Sequence, residues 1–212
     1  WSRAANITTT GFLDLNHHFA NNWKLRLSYS QSHTDATLKN LFRGGYPDRE
    51  TGLVMSNSFS YYKGNVHRQA LNMSLSGPFE LFGREHEFSV GWMWSRDRLL
   101  LPKYEALSPV PDAGSFYAQG STPEPTWSHE SSPADELYNR QSGAYAVGRF
   151  ALADNLRLIL GGRISNWQTD QNYFGEERHY RHNNEFVPYA GMLLDLNNVY
   201  TLYASYTEIF KP

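Results

Sequence analysis

Four stretches of this chain alternate apolar and polar residues with a period of two, and that pattern limits it to extended, two-faced strands. Over 23–30, Trp23, Leu25, Leu27 and Tyr29 fall on one side, with Lys24, Arg26, Ser28 and Ser30 on the other. Over 70–76, Leu71, Met73 and Leu75 oppose Ala70, Asn72, Ser74 and Ser76. Over 88–95, Phe88, Val90, Trp92 and Trp94 oppose Ser89, Gly91, Met93 and Ser95. Over 156–165, Leu156, Leu158, Leu160 and Ile164 oppose Arg157, Ile159, Gly161, Arg163 and Ser165. Weaker alternation elsewhere brings the expected total to about eight strands, near 5–20, 23–35, 56–77, 85–97, 138–151, 156–168, 183–196 and 199–209. Residues 144–150 do not reveal a face.

The connections between these strands alternate short and long. Ala20–Asn22, Gly77–Arg84, Ala151–Asn155 and Leu196–Asn198 are short and rich in residues that tolerate tight turns. Those at 36–55, 98–137 and 169–182 are long. Pro102, Pro109, Pro111, Pro123, Pro125 and Pro133 mark 98–137 as an irregular loop. A soluble sandwich has no reason to alternate in this way. A transmembrane β-barrel has one, with short periplasmic turns and long extracellular loops. No apolar run is long enough for a transmembrane helix.

Composition supports the same fold. Aromatic residues make up 15% of the chain, yet its mean hydropathy is −0.59. Membrane barrels combine these because one strand face meets a wet lumen and aromatics crowd the interfaces. A net charge of −2 gives no reason to expect a nucleic-acid partner. The absence of cysteine rules out disulfides and thiolate metal sites. It suits passage through the oxidising periplasm but equally fits many cytosolic chains. The fold class expected is all-β: an antiparallel transmembrane β-barrel segment. The ends, Trp1 and Phe210-Lys211-Pro212, carry no mark of natural termini, so the strands are expected to be part of a larger barrel.

Three segments resemble known family sequence. Gly77-Pro78-Phe79-Glu80-Leu81-Phe82-Gly83-Arg84-Glu85-His86-Glu87-Phe88 resembles a periplasmic turn of TonB-dependent ferric-siderophore receptors. Gly161-Gly162-Arg163-Ile164-Ser165-Asn166-Trp167 resembles one of their strands. Pro188-Tyr189-Ala190-Gly191, then Asp195-Leu196-Asn197, then Leu202 to Pro212 is similar to a hairpin of ferripyoverdine, ferric-coprogen and related hydroxamate-siderophore receptors. The resemblance covers most of the chain from about residue 60. It implies a plug domain inside a barrel of about 22 strands. Residues 1–212 would then be the middle of that single barrel domain, with plug and C-terminal strands outside the chain. It also implies a receptor, not an enzyme, in the outer membrane of a Gram-negative bacterium. Its partners would be a ferric siderophore, the TonB complex acting through the plug, and outer-membrane lipid and lipopolysaccharide. No cofactor is implied; iron enters only within the siderophore.

Candidate site residues come from the long loop and the end of the strand before it. Tyr104, Phe116, Tyr117 and Trp127 lie where lipid does not account for aromatics. They either pack the loop on itself or wall an organic iron chelate. Arg96 and Arg98, at the rim of their strand, are candidates to face an anionic chelate. Phe88, Val90, Trp92 and Trp94 read as a lipid-facing row with Trp at the outer interface. His179-x-x-His182, in an expected polar loop, lacks the helix and third ligand that would make it a metal site. His17-His18 alternate faces on a strand. Ser128-His129-Glu130 holds hydrolase residue types with nothing to orient the histidine. The competing class is a self-contained eight-strand barrel acting as a hydrolase or adhesin.

Overall fold

The computed structural model describes residues 2–53, 56–109 and 122–209. Eight strands form one sheet in chain order: β1 (Arg3–His18), β2 (Lys24–Gly44), β3 (Ser56–Leu81), β4 (Arg84–Ala106), β5 (Trp127–Ala153), β6 (Leu156–Tyr173), β7 (Glu176–Asp195) and β8 (Thr201–Thr207). Every neighbouring pair is antiparallel. The sheet is open, with β1 and β8 as its edges.

The register fixes the faces, because directly paired residues project to the same side. One row runs Leu15–Leu27–Met73–Trp92–Ala144–Ile164–Phe186 across seven strands. The row below it runs His17–Leu25–Leu75–Val90–Ala146–Gly162–Pro188. The opposite face carries Asn16–Arg26–Ser74–Gly91–Tyr145–Arg163–Val187. This also settles 144–150: Ala144, Ala146 and Gly148 join the apolar face, while Tyr145, Val147 and Arg149 take the other. The apolar residues stay open to their surroundings, Leu160 at 45% and Phe186 at 60%, and Ala134 is the buried hydrophobic residue among those described. A contiguous apolar face with no core behind it needs lipid against it.

Rings cover glycines on both faces: Trp23 lies over Gly77, Phe150 over Gly148, Phe186 over Gly162 and Tyr145 over Gly91. Such aromatic cover of a neighbouring glycine helps pin register. At the short-turn end, His86 bridges two strands. Its Nε2 donates to the Leu81 carbonyl at 3.0 Å and its Nδ1 accepts from the Ala151 amide at 2.9 Å. That amide lies past the end of the β4–β5 ladder, which closes at Glu87↔Arg149, so the histidine side chain carries the cross-strand bond there.

Several strands run further than their alternation shows. β2 continues to Gly44, β4 to Ala106, and β5 begins at Trp127, so the second long connection is 107–126 and not 98–137. Pro102 and Pro133 sit in strands at a register shift between Leu101 and Lys103, where a missing amide donor costs no ladder bond. The expected long connection at 169–182 is a correction: β6 and β7 pair to Tyr173↔Glu176 around a two-residue turn. Phe174 and Gly175 there have φ of 51° and 89°, and Phe82 and Gly83 between β3 and β4 have 53° and 72°. Two successive positive φ values are those of a type I′ hairpin turn. Short and long therefore alternate for the first two hairpins; in the third, the length lies in the strands themselves.

Candidate functional site

The root of the 107–126 loop is held by an aromatic knot. Tyr61 of β3 pairs with Tyr104 of β4 and stacks on it, centroids 4.7 Å apart. Trp127, the first residue of β5, meets the same ring edge-on at 5.3 Å. The Lys39 ammonium lies 4.7 Å from the Tyr61 ring centre and 2.6 Å from Glu124 Oε1. The Trp127 indole N–H donates to that same oxygen at 3.1 Å. The Lys39 hydrogen bond, then that of Trp127, holds the Glu124 carboxyl below the usual carboxylate range. Arg43 donates to Thr122 Oγ1 at 3.1 Å. The returning end of the loop thus crosses over β3 to fasten on β2.

Of the sequence candidates, Tyr104 and Trp127 are brought together here on Tyr61. Phe116 and Tyr117 lie outside the described residues. Arg96 and Arg98 are not at a strand end, because β4 continues to Ala106. They pair with Gln69 and His67 on β3, on the same face as Trp92 and Trp94 and away from the polar face. Tyr61, Lys39 and Glu124 escaped sequence reasoning. Lys39 and Glu124 are 85 positions apart, and no local pattern connects them.

The other histidine and serine motifs are pulled apart by the pleat. His179 and His182 lie on β7, an odd number of residues apart, and so project to opposite faces. His179 pairs with Asp170 at 2.9 Å, while the His182 ring lies 5.9 Å from that of Trp167 on the polar face. The Asp170 hydrogen bond raises the His179 pKa, and the His179 hydrogen bond lowers that of Asp170. Ser128 and His129 are adjacent on β5, and Ser128 Oγ accepts from the Glu130 amide at 3.0 Å. Among the described residues no group of three or more His, Cys, Asp or Glu is placed to hold a metal ion.

The polar face is a graded hydrogen-bonding wall. At the short-turn end Arg149 pairs with Glu87 at 3.1 Å and Arg157 with Asp195 at 3.3 Å. Arg26 donates to Asn16 at 3.1 Å. Nearer the loops, Arg68 faces Asp97 at 4.0 Å and Thr169 donates to Asn139 at 3.3 Å. Arg163 Nε and Ser165 Oγ are buried on this face without a hydrogen-bond partner. A wall of this kind solvates a polar lumen or packs against polar contents.

The β-barrel family described as TonB dependent receptor-like matches residues 1–212 in full. The ferripyoverdine receptor of Pseudomonas aeruginosa is 34% identical over all of this chain, which covers 26% of that protein. A ferric-pyoverdine receptor of Pseudomonas putida is 32% identical, with 27% of it covered. The P. aeruginosa receptor solved with ferripyoverdine bound superposes with a TM-score of 0.87 at 29% identity, covering 100% of this chain and 28% of that one. The alcaligin outer-membrane receptor of Bordetella pertussis gives a TM-score of 0.76 at 40% identity, covering 100% and 30%. The chain spans about a quarter of the length of the curated relatives it matches.

Proposed function

The chain belongs to the TonB-dependent receptor β-barrel family, and from that premise we propose that it forms a wall sector of an outer-membrane receptor that imports a ferric siderophore with energy delivered through TonB. The observation that carries this reading is the two-faced register: one face is a continuous apolar band, and the other is polar across the same strands. The apolar band meets lipid and the polar face meets the contents of the barrel. An open sheet edge is not tolerated in hydrocarbon, so β1 and β8 pair with further strands of the same barrel domain.

Within that receptor the short turns face the periplasm, and the 45–55 and 107–126 connections face the outside. The loop 107–126, with Phe116 and Tyr117 on it and Tyr104 and Trp127 at its root, contributes to chelate capture. Tyr104 shares the outward face of β4 with Arg96 and Arg98, so it is the loop, and not these side chains, that reaches the route through the barrel. Iron is cargo carried in the chelate, and a plug outside this chain receives the pull of TonB. Nothing in this role asks for a catalytic group.

The test is uptake of radioiron by cells that carry or lack the complete receptor. Ferripyoverdine is the first chelate to try and ferric alcaligin the second, since similar proteins are receptors for these two. Uptake should require the receptor, an intact TonB and the proton-motive force. Uptake that survives loss of TonB would overturn the reading.

A further inference from the structure

Two histidines meet across β2 and β3. His33 and His67 are direct register partners on the outward face, two rows beyond the row of Leu71 and Trp94. Their rings lie side by side, with centroids 4.2 Å apart and planes tilted by 36°, and their Nδ1 atoms are 3.3 Å apart. His33 Nε2 lies 3.2 Å from Oδ1 of Asp35, which is two positions further along the same face. The His33 and Asp35 side chains are 37% and 68% exposed, so the pair opens to its surroundings.

Asp35 decides what the pair can do. A carboxylate accepts, so the His33 proton belongs on Nε2 and the Nδ1 lone pair is left toward His67. A proton on His67 Nδ1 would join the two rings by a hydrogen bond, but 3.3 Å is long for one. The same separation is the edge of a metal tetrahedron. Metal–nitrogen bonds of about 2.0–2.1 Å put two ligand nitrogens about 3.3–3.4 Å apart. A carboxylate behind the imidazole is the usual outer-shell partner of a histidine ligand, fixing the tautomer and making the ring a better donor to the metal.

The surroundings leave room for a cation. Arg98 pairs with His67 from β4, but its guanidinium lies over the Tyr138 ring of β5 at 5.2 Å, on the side away from His33. Thr9, opposite His33 on β1, is uncharged, as are Gln31 and Gln69 in the row below. In the row above, Asn65 pairs with Asp35, and its Oδ1 is buried without a hydrogen-bond donor. A water bound to a cation is such a donor.

We propose that His33 and His67 bind a late first-row divalent cation through their two Nδ1 atoms, with Asp35 behind His33 and water completing the coordination. Imidazole suits copper, zinc and nickel, and affinity at a given nitrogen site peaks at Cu²⁺. With two protein ligands the cation stays exchangeable. Held there, it ties β2 to β3 beyond the lipid. That position rests on the membrane-wall reading above, whereas metal binding itself is independent of the chelate and of TonB.

The test uses the complete receptor, purified in detergent and stripped of metal with EDTA. The probe is Cu²⁺ alone, and the readout is electron paramagnetic resonance with a binding titration. The wild type should take up an equivalent whose spectrum shows coupling to two imidazole nitrogens. H33Q and H67Q should each lose that signal, and D35N should weaken binding about tenfold, as loss of an outer-shell partner does. H17Q, on the same face but far from the pair, should behave as the wild type. Zn²⁺ and Ni²⁺ should displace the copper, and Mg²⁺ and Ca²⁺ should not. If a histidine variant does not fold, judged by heat-modifiable gel mobility, the wild type alone still decides. Copper with ascorbate should then oxidise His33 and His67 ahead of His129 and His179 in peptide mass spectrometry. An unchanged copper signal in both H33Q and H67Q would overturn the proposal, as would displacement by Ca²⁺ as readily as by Zn²⁺ or oxidation without preference for the pair.

Discussion

Tyr145 lies flat over Gly91 on the polar face, so a β-carbon at position 91 would overlap its ring. The two are paired across β4 and β5, and Gly91 is buried beneath the tyrosine. Gly91→Leu should therefore destabilise folding into lipid vesicles by about 1–3 kcal/mol, the usual cost of overpacking. Adding Tyr145→Ala should recover part of that loss. Additive effects of the two changes would mean that ring and glycine do not touch.

The faces themselves are open to a charge scan. Leu27 and Leu158 share the lipid side with their partners Met73 and Met192, whereas Ser28 faces the lumen. Arginine on a midplane lipid face costs roughly 2–4 kcal/mol. Leu27→Arg and Leu158→Arg should each weaken folding of the complete receptor into vesicles by that order, and Ser28→Arg much less. Equal costs on the two faces would refute the register.

Topology follows from the turns. The sequence has no cysteine, so any introduced in it is unique within this chain. Cysteine is best kept from Gly45, Gly83 and Gly175, whose φ values are 83°, 72° and 89°. Asn21→Cys, Asp154→Cys and Asn197→Cys should resist an impermeant maleimide on whole cells, while Tyr46→Cys and Glu176→Cys should label. The reverse pattern would invert the barrel, and labelling at every position would remove the membrane.

For the loop, Tyr104 and Trp127 belong to strands, so a clean deletion spans 107–126 and spares both. The barrel should still insert, since no membrane-embedded backbone is touched. Binding of radiolabelled ferric chelate at equal surface abundance should weaken. Trp127→Ala should give a smaller loss, by freeing the loop root from Tyr61 and Glu124. Unchanged affinity in the deletion would place capture in other loops or in the plug.

The Asp170–His179 pair lies beyond the membrane, near the β6–β7 turn, and carries a pH dependence of definite sign. The His179 pKa is raised, so its share of the pairing is complete below the ordinary histidine value and is lost as pH rises through the higher one. The Asp170 pKa is lowered, so its share is present above the ordinary carboxylate value and is lost as pH falls through the lower one. The pair is therefore strongest at mildly acidic pH. Asp170→Asn should bring the His179 titration, followed by NMR of the ring protons, down toward the ordinary histidine value. An unmoved titration would show that the hydrogen bond is absent in solution.

What the sequence discloses depends on where a strand meets two different media. Between lipid and lumen, Leu25, Leu27, Leu71, Met73, Trp92, Leu158 and Leu160 alternate against polar neighbours, and those strands were legible. Above the lipid both faces are wet. Gln168 to Tyr173 and Glu176 to His182 are polar throughout, yet backbone pairing continues without any two-fold pattern. The same region therefore has the sequence character of a loop. The candidate site was legible only in part: Tyr104 and Trp127 stand out as aromatics that lipid does not explain, but their partners Tyr61, Lys39 and Glu124 come from distant segments. The alternation of β4 stops at 97, nine residues before the strand ends at 106, and so sets Arg96 and Arg98 at an apparent rim.

The β6–β7 ladder beyond the register shift at Ser165 and Trp167 also has a mechanical meaning. From Trp167 to Tyr173 it extends about 20 Å at about 3.3 Å per residue. A hydrogen-bonded ribbon of that length acts as a cantilever, and its tip moves with the barrel to which it is clamped. A short epitope or a fluorophore inserted between Phe174 and Gly175 would therefore report the tilt and rotation of the whole receptor in a living envelope, with little of the blur that a floppy attachment adds.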